Sequence, residues 1–344
     1  KWVRRAAVFL CLLFAAAYIL VRPAVVARLG PVLTEAAGER LNGSLSWRSV
    51  DLDPLYNLEF SDMELKDADG RVVFKSPSLT VGWTLWGAFS AWKNDEGVSA
   101  MVQDVLLDAP ELYFAEEADG SWNIQQLLKP PKEETPGAFH GRILVKGGAA
   151  NLSLQAGGSW HFRELEGQFS WLDAGRITAA LSGAYEDARF SVNASYTDEK
   201  NFNAEISTDP VALTSLQGAL AYLPESAPRL VLKDGTAEVT KAEVAQKDGV
   251  LTYRAEGRLS GAALSADGYE LTDGAADVVV TDDAVKVSNA QIRVNGQEAA
   301  ADFTVSWESE TTVDGHAEIR NAALDRLLPG EDCAGTLTAG APGS

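Results

Sequence analysis

The sequence predicts a mostly β protein built as a long antiparallel meander, with an N-terminal transmembrane helix and a few short helices. Three observations predict this fold class. Apolar and polar residues alternate in many segments after Gly43, glycine-containing turn dipeptides separate these segments, and an uncharged apolar run lies near the N-terminus. Alternation gives each strand one apolar and one polar face, which is typical of antiparallel sheets.

The N-terminal run of sixteen uncharged residues, 6–21, is flanked by Arg4-Arg5 and by Arg22. As a helix it would span roughly 24 Å at about 1.5 Å per residue, and snorkelling arginines can cover the rest of a hydrocarbon core. A cleaved secretory signal with Ala15-Ala16-Ala17 as its small-residue site is the alternative. The apolar run continues beyond that site, which favours an uncleaved signal-anchor over residues 1–22. Both alternatives place the following residues outside the cytoplasm.

Charge separates this anchor from the rest of the chain. Five of the 29 Lys and Arg residues lie in the first 28 positions, which leaves 24 bases against 49 Asp and Glu residues in the remainder. Nucleic-acid binding is therefore excluded, because so acidic a body repels a phosphate backbone. The chain has two cysteines, one of them in the anchor, so we expect no disulfide framework.

The remaining sequence divides by its hydrophobic pattern. Residues 23–42 carry apolar positions at helical spacing and predict a juxtamembrane helix. Residues 43–129 form a first β region, and the proline-rich, charged residues 130–137 form a linker or protruding loop. Residues 138–344 form a repeating β region that we expect to be truncated at its C-terminus.

The β regions are expected to hold about 18 strands joined by tight turns. Dipeptides such as Asp248-Gly249 and Asn295-Gly296 supply the positive φ that such turns require. Two interruptions with a helical pattern, 211–223 and 321–328, each end at a proline.

Motifs for catalysis are absent from the sequence. The three histidines lie far apart, and no nucleophile elbow, phosphate-binding loop or pair of metal-ligand residues is present. We therefore expect no enzyme activity, no cofactor and no metal.

The long apolar sheet face must be covered by something, and two alternatives follow from the residues alone. One is a second sheet, which gives a closed sandwich or solenoid. The other is a ligand held by an open, curved sheet. About 18 strands at about 4.8 Å would stack to roughly 85 Å, which exceeds a compact sandwich. A high content of alanine and glycine would leave room for a guest, but composition does not decide between the two.

A resemblance favours the open sheet. The phrases 58–70 (LEFSDMELKDADG), 105–112 (VLLDAPEL), 119–128 (DGSWNIQQLL) and 141–154 (GRILVKGGAANLSL) follow the N-terminal run in order. The third phrase, Asp-Gly-x-Trp-Asn before a short amphipathic turn, is the most specific. Together they resemble the N-terminal portion of the AsmA-like superfamily, the periplasmic β-groove proteins that include the TamB and YhdP types. The resemblance extends to about residue 170, and beyond it only period and composition agree.

The resemblance implies that the curved meander forms an elongated apolar groove. It implies a single-pass protein of the bacterial inner membrane, with most of the chain in the periplasm, that carries phospholipid acyl chains towards the outer membrane. The expected partners are phospholipids, the inner membrane and an outer-membrane assembly protein reached through a C-terminal portion that this chain lacks. A structural or assembly factor for outer-membrane proteins, with a closed sandwich or solenoid core, is the alternative.

Two sets of residues are the candidate functional positions. The first set alternates along predicted strands and is expected to line the groove and bind lipid: Ile143, Val145, Leu152, Leu154, Phe190, Val192, Tyr196, Ile292, Val294, Phe303, Val305 and Trp307. The second set clusters after the anchor and is expected either to plug the end of the sheet or to contact the membrane interface: Trp83, Trp86, Phe89 and Trp92.

Overall fold

The structure is a computed structural model. It describes residues 22–23, 27, 34, 38, 41–53, 57–83, 102–127, 129, 139–155, 158–172, 176–198, 200–222, 229–266, 269–307, 312–319, 322–323 and 336–337. These residues are mostly in antiparallel β-strands with few helices, so the predicted fold class is confirmed at this level. No helix among them is both long and apolar enough to cross a membrane. The predicted anchor, 6–21, and the predicted linker, 130–137, lie outside the described residues.

The chain divides into two compact units, Lys1–Gln155 with Ser159–Ala179 and Ala156–Gly158 with Ala180–Ser344. The strands up to this division are β1 Gly43–Ser46, β2 Ser49–Leu52, β3 Leu58–Asp67, β4 Val72–Trp83, β5 Val102–Asp108, β6 Glu111–Ala115, β7 Arg142–Leu154, β8 Gly158–Trp171 and β9 Ile177–Tyr185, the last of which crosses it. The later strands are β10 Ala188–Asp198, β11 Asn201–Thr208, β12 Val211–Ala212, β13 Leu230–Lys247, β14 Val250–Ala266, β15 Tyr269–Thr281, β16 Ala284–Val294, β17 Gln297–Ser306, β18 Thr312–Ile319, β19 Ala322–Ala323 and β20 Thr336–Leu337.

The first unit departs from a simple meander at one place. Strand β3 pairs antiparallel with β1, β2 and β4, and β4 pairs antiparallel with β5 and β6. Strands β5 and β6, however, both run parallel to β7. The connection from β6 to β7 covers residues 116–141, which is long enough for the crossover that a parallel pair needs.

The second unit is antiparallel throughout its paired strands. Strand β11 pairs with β10 and β13, and β13 to β18 follow one another in chain order. The predicted tight turns are confirmed, because Asp248 and Gly249 have φ of 53° and 84°, and Asn295 and Gly296 have φ of 48° and 80°. Positive φ at both central positions is what two-residue hairpin turns require.

The helix predictions had mixed outcomes. Arg22, Pro23, Ala27, Thr34 and Gly38 are helical, and the last four lie within the predicted juxtamembrane segment 23–42, most of which lies outside the described residues. Of the interruption 211–223, the first two residues form β12 and the following Leu213–Tyr222 form a 3-10 helix.

The prediction of a helix from residue 321 was wrong at its start. Ala322 and Ala323 form β19, because they pair with Leu337 and Thr336 of β20. The remaining residues of that predicted helix lie outside the described part of the chain.

The two units differ in how much hydrophobic core they contain. Ten hydrophobic side chains are buried in the described part of the chain, and seven of them, including Leu52, Phe60 and Val73, belong to the first unit. The second unit contributes Ala188, Leu213 and Ala262, two of which are only alanines. Its large apolar residues are mostly half-buried or exposed instead.

Candidate functional site

The strand register of the second unit places its alternating apolar residues on one face. Val192 of β10 lies opposite Ile206 of β11, and Val305 of β17 lies opposite both Val285 of β16 and Val313 of β18. Directly opposed residues in neighbouring strands project from the same face of a sheet. The shared face, called here the apolar face, includes Phe190, Val192, Ala194, Tyr196, Phe202, Ala204, Ile206, Ala242, Val244, Tyr253, Ala255, Val278, Val280, Val285, Val287, Phe303, Val305 and Val313.

The predicted lipid-binding residues of this unit lie together on that face. Phe190, Val192 and Tyr196 come from β10, and Phe303 and Val305 come from β17. Trp307 follows the end of β17 in the same alternation. The remaining two, Ile292 and Val294 of β16, lie opposite Ala299 and Gln297 of β17.

A line of left-handed residues crosses the second sheet and changes its alternation. Gly235 of β13, Gly261 of β14, Asp273 of β15 and Asn289 of β16 have φ of 102°, 61°, 54° and 55°. The strand pairings shift register near each of these residues. Such bulges insert one residue, bend the strand and increase its twist.

The bulge in β16 shows the effect of this line on the apolar face. Before Asn289 the apolar residues are odd-numbered, Val285 and Val287, and after it they are even-numbered, Ile292 and Val294. The extra residue thus keeps both stretches on one face while the strand bends between them.

The first unit has an equivalent line. Asp62 of β3, Ala109 between β5 and β6, Gly147 of β7 and Glu164 of β8 have φ of 48°, 45°, 60° and 53°. Ala109 and Gly147 face each other, since the Ala109 N–H donates to the Lys146 carbonyl at 2.7 Å and the Ala149 N–H donates to the Pro110 carbonyl at 2.7 Å.

The four predicted lipid-binding residues of the first unit lie on either side of this line in β7. Ile143 and Val145 precede Gly147 and lie opposite Val105 and Leu107 of β5. Leu152, opposite Phe114 of β6, and Leu154 follow it with the alternate parity. All four are half-buried.

The Asp-Gly-x-Trp-Asn motif has a structural role at the end of β6. Asn123 is 4% exposed, its side-chain amide donates to the Tyr113 carbonyl at 3.0 Å, and its side-chain carbonyl accepts from the Ala115 N–H at 3.1 Å. The asparagine side chain therefore pairs with β6 as a further strand would. Leu127, four residues later, is also buried, and its carbonyl accepts from the Asn42 N–H at 2.7 Å.

An ion-pair cluster fixes the same loop from the other side. The Arg71 guanidinium donates to Asp67 at 2.8 Å and to Glu117 at 2.7 Å. The hydrogen bonds to these two carboxylates raise the pKa of the Arg71 guanidinium, and the bond to Glu117 has the larger effect. The turn between β3 and β4 is thereby tied to the loop that carries the motif.

The large side chains of the apolar face are not fully buried in the described residues. The strands of this unit contact mainly their neighbours in the sheet, and the 3-10 helix Leu213–Tyr222 contacts mainly β13. Val192, Val278, Val287, Phe303 and Val305 are each half-buried. A closed sandwich would bury such residues almost fully.

The opposite face of the second sheet is polar and ion-paired. Arg254 contacts Glu256 at 2.9 Å, Arg258 contacts Asp277 at 3.3 Å, and Lys241 contacts Glu243 at 2.5 Å. A hydrogen bond from Asn289 and, with a smaller effect, one from Arg258 hold the pKa of the Asp277 carboxyl below its ordinary value. These exposed charges keep this face in water, and each pair contributes little to stability.

A cavity of about 650 Å³ lies on the polar face beside Arg293. Arg293 contacts Asp273 at 3.1 Å and Glu298 at 3.3 Å within it. No group of three or more potential metal ligands occurs in the described residues. Ile292 and Ala299 also line this cavity.

The predicted membrane-interface cluster is described only at Trp83. This residue ends β4, is half-buried and lies opposite Val102 of β5. Trp86, Phe89 and Trp92 lie outside the described residues.

Sequence reasoning missed the two lines of left-handed residues and several members of the apolar face. Ile206, Val244 and Val280 belong to that face by register. The signal for the bulges was the change of parity within one strand, such as Leu58 and Phe60 before Met63 and Leu65 in β3. Comparison with protein-family models, curated proteins and solved structures finds no match to this chain.

Proposed function

We propose that this chain is a lipid-transfer protein of the bacterial inner membrane, with most of its residues in the periplasm. Its β-sheet carries phospholipid acyl chains along the apolar face towards the outer membrane. The observation that supports the proposal best is the apolar face of the second unit, which is continuous across β10 to β18 and whose large side chains are half-buried or exposed in the described residues.

The physical reason is the cost of exposing a lipid tail to water. Burial of apolar groups contributes about 0.8 kcal/mol per methylene. A face that covers one side of an extended tail removes roughly half of that exposure, so a tail can move along it without leaving apolar surroundings. The bulge line favours the same role, because bulges that keep the apolar residues on one face curve the sheet without interrupting that face.

An assembly factor with a closed core is the second candidate, and one observation favours it for part of the chain. The first unit contains seven buried hydrophobic side chains and a loop closed by Asn123 and Arg71. That unit has the features of a rigid scaffold.

The test is to extract the full chain in mild detergent and identify what it carries by native mass spectrometry with lipid analysis. If the chain transfers lipid, we expect most of the extracted protein molecules to carry bound phospholipid. A lipid-free protein that also takes up no phospholipid from vesicles would overturn it and favour the assembly factor.

A further inference from the structure

Exposed hydrophobic side chains of the second unit gather at one rim of its sheet. This rim comprises the turns 198–201, 247–250 and 281–284 together with the adjoining ends of β17 and β18. Eight large hydrophobic side chains are exposed in the described part of the chain, and six lie at this rim: Tyr196, Val250, Leu251, Tyr253, Trp307 and Val313.

Hydrogen bonds join the neighbouring turns of the rim. The Gly249 N–H donates to the Lys200 carbonyl at 3.2 Å, which connects the first two turns. The Trp307 N–H donates to the Asp283 carbonyl and its indole N–H donates to the Asp282 carbonyl, both at 2.9 Å. Hydrogen bonds thus connect several of the strand ends that carry the exposed side chains.

Five of the six rim residues continue the apolar face outward. Tyr196 lies opposite Phe202, Tyr253 lies opposite Val244, and Val313 lies opposite Val305. Leu251 lies two residues before Tyr253 and Trp307 lies two residues after Val305, so both continue the alternation of the apolar face. Along β14 the exposed fraction on this face falls from 52% at Leu251 to 38% at Tyr253, and Ala255 beyond them is half-buried. The apolar face is therefore most accessible from this side.

The opposite end of the same sheet has a different surface. Leu264, Leu271 and Val294, which lie opposite one another on the apolar side, are half-buried there. The exposed Val231 lies opposite Ser265, which lies opposite Glu270, so Val231 projects from the polar side. Exposed large hydrophobic side chains on the apolar side are thus found at the first rim and not among the described residues of the opposite end.

Charged side chains of the rim indicate which headgroup fits. Asp198, Asp248, Asp282 and Asp283 are exposed beside two exposed lysines, Lys200 and Lys247, and beside Arg254, which lies opposite Thr281 and is paired with Glu256. The carboxylates outnumber the ammonium groups, so an anionic headgroup is repelled and one that carries a cation is attracted. Tyrosine and tryptophan favour the boundary between apolar tails and water.

We propose that phospholipids with a net-neutral, cation-bearing headgroup enter and leave the apolar face at this rim. The acyl tails pass over Leu251, Tyr253 and Val313, and the headgroup stays in water beside the aspartates. This inference rests on the proposed lipid-transfer function and adds to it where exchange occurs and which headgroup class is preferred.

The test measures how fast the full chain exchanges its lipid with vesicles of deuterated phosphatidylcholine, followed by native mass spectrometry. The rim variant combines Leu251→Ser with Tyr253→Ser, and the matched control is Val231→Ser, an exposed valine on the polar side. We expect the rim variant to exchange about tenfold more slowly, since two apolar contacts are lost on the path. The control should match the unmodified chain.

Three outcomes separate this inference from the proposed function. If the unmodified chain binds no phospholipid from vesicles, the proposed function fails and the inference with it. If it exchanges lipid but the rim variant is as fast, or the Val231→Ser control is equally slow, only the rim is wrong. Phosphatidylglycerol vesicles test the headgroup: exchange as fast as with phosphatidylcholine contradicts the charge argument, and Asp282→Lys with Asp283→Lys should reverse the preference.

Discussion

Replacing Val305 by aspartate tests whether the apolar face binds acyl chains. Val305 lies between Val285 and Val313 and is half-buried. A lipid tail over this position would have to cover the new side chain. Covering it as an ion is so unfavourable that the carboxyl takes up a proton instead.

The magnitude follows from that proton. Neutralising an aspartate with an ordinary pKa of about 3.9 at pH 7 costs about 4 kcal/mol, and losing the valine adds about 1 to 2 kcal/mol. Because the tail covers only one side of the residue, we expect about half of this total, roughly 2 to 3 kcal/mol. Lipid affinity should therefore fall about 30- to 150-fold.

The pH dependence has a definite sign. Lipid binding raises the pKa of the introduced carboxyl, so the penalty is absent below its ordinary pKa and grows as the pH rises. Occupancy in the Val305→Asp variant, measured by native mass spectrometry, should recover near pH 4. Val192→Asp should behave in the same way.

Thr304→Asp is the matched control for this experiment. It changes the next residue of the same strand, but Thr304 lies opposite Lys286 and Asp314 on the polar face. The control should keep its lipid at every pH. Equal occupancy in the Val305→Asp and Thr304→Asp variants at pH 7 would refute the assignment of the apolar face as the lipid path.

Three further predictions concern the stability of the fold. Asn123→Ala should lower the free energy of unfolding by about 1 to 3 kcal/mol in urea titration, because the Ala115 N–H and Tyr113 carbonyl of β6 lose their partner; an unchanged midpoint would show that the side chain does not pair with β6. Gly147→Ala should lower the free energy of unfolding by about 1 kcal/mol because of the positive φ at this position alone, since nothing lies within 4 Å of an added Cβ. Ser153→Ala in the same strand should lower it by less. The lowered pKa of Asp277 stabilises the fold above the carboxyl's unfolded pKa, and that contribution is lost as the pH falls through its folded pKa. Asp277→Asn should therefore be less stable than the unmodified chain at pH 7 and equally stable near pH 2; a constant difference across pH would contradict this.

The sequence predicted the antiparallel strands and turns because both depend on local chemistry. Alternation fixes which face a residue projects from, and dipeptides such as Asn295-Gly296 fix the turn. The parallel pairing of β5 and β6 with β7 depends on how residues 116–141 return along the sheet, which no local pattern determines. The sequence also suggested a helix from residue 321, where pairing between β19 and β20 overrides helix propensity at Ala322 and Ala323.

The candidate lipid-binding residues were predictable for the same reason, and their limits show what alternation misses. Strict alternation from Val285 would place Ile292 on the polar face. The bulge at Asn289 returns Ile292 to the apolar face. The Asn289 backbone N–H donates a hydrogen bond to the Asp302 carboxylate at 2.7 Å. Asparagine and aspartate tolerate positive φ, so a change of parity that coincides with one of them is a usable sequence signal for a bulge.

The two units use similar bulged strands differently. Both units have a line of left-handed residues that bends the sheet and preserves one apolar face. In the first unit the loop that ends at Leu127 joins a core with large buried residues such as Phe60. In the second unit the buried side chains are Ala188, Leu213 and Ala262, and the large residues stay half-buried. A sheet that keeps apolar residues in register from β10 to β18 and leaves them half-buried is a surface on which an apolar guest would gain contact, as the lipid-transfer proposal requires.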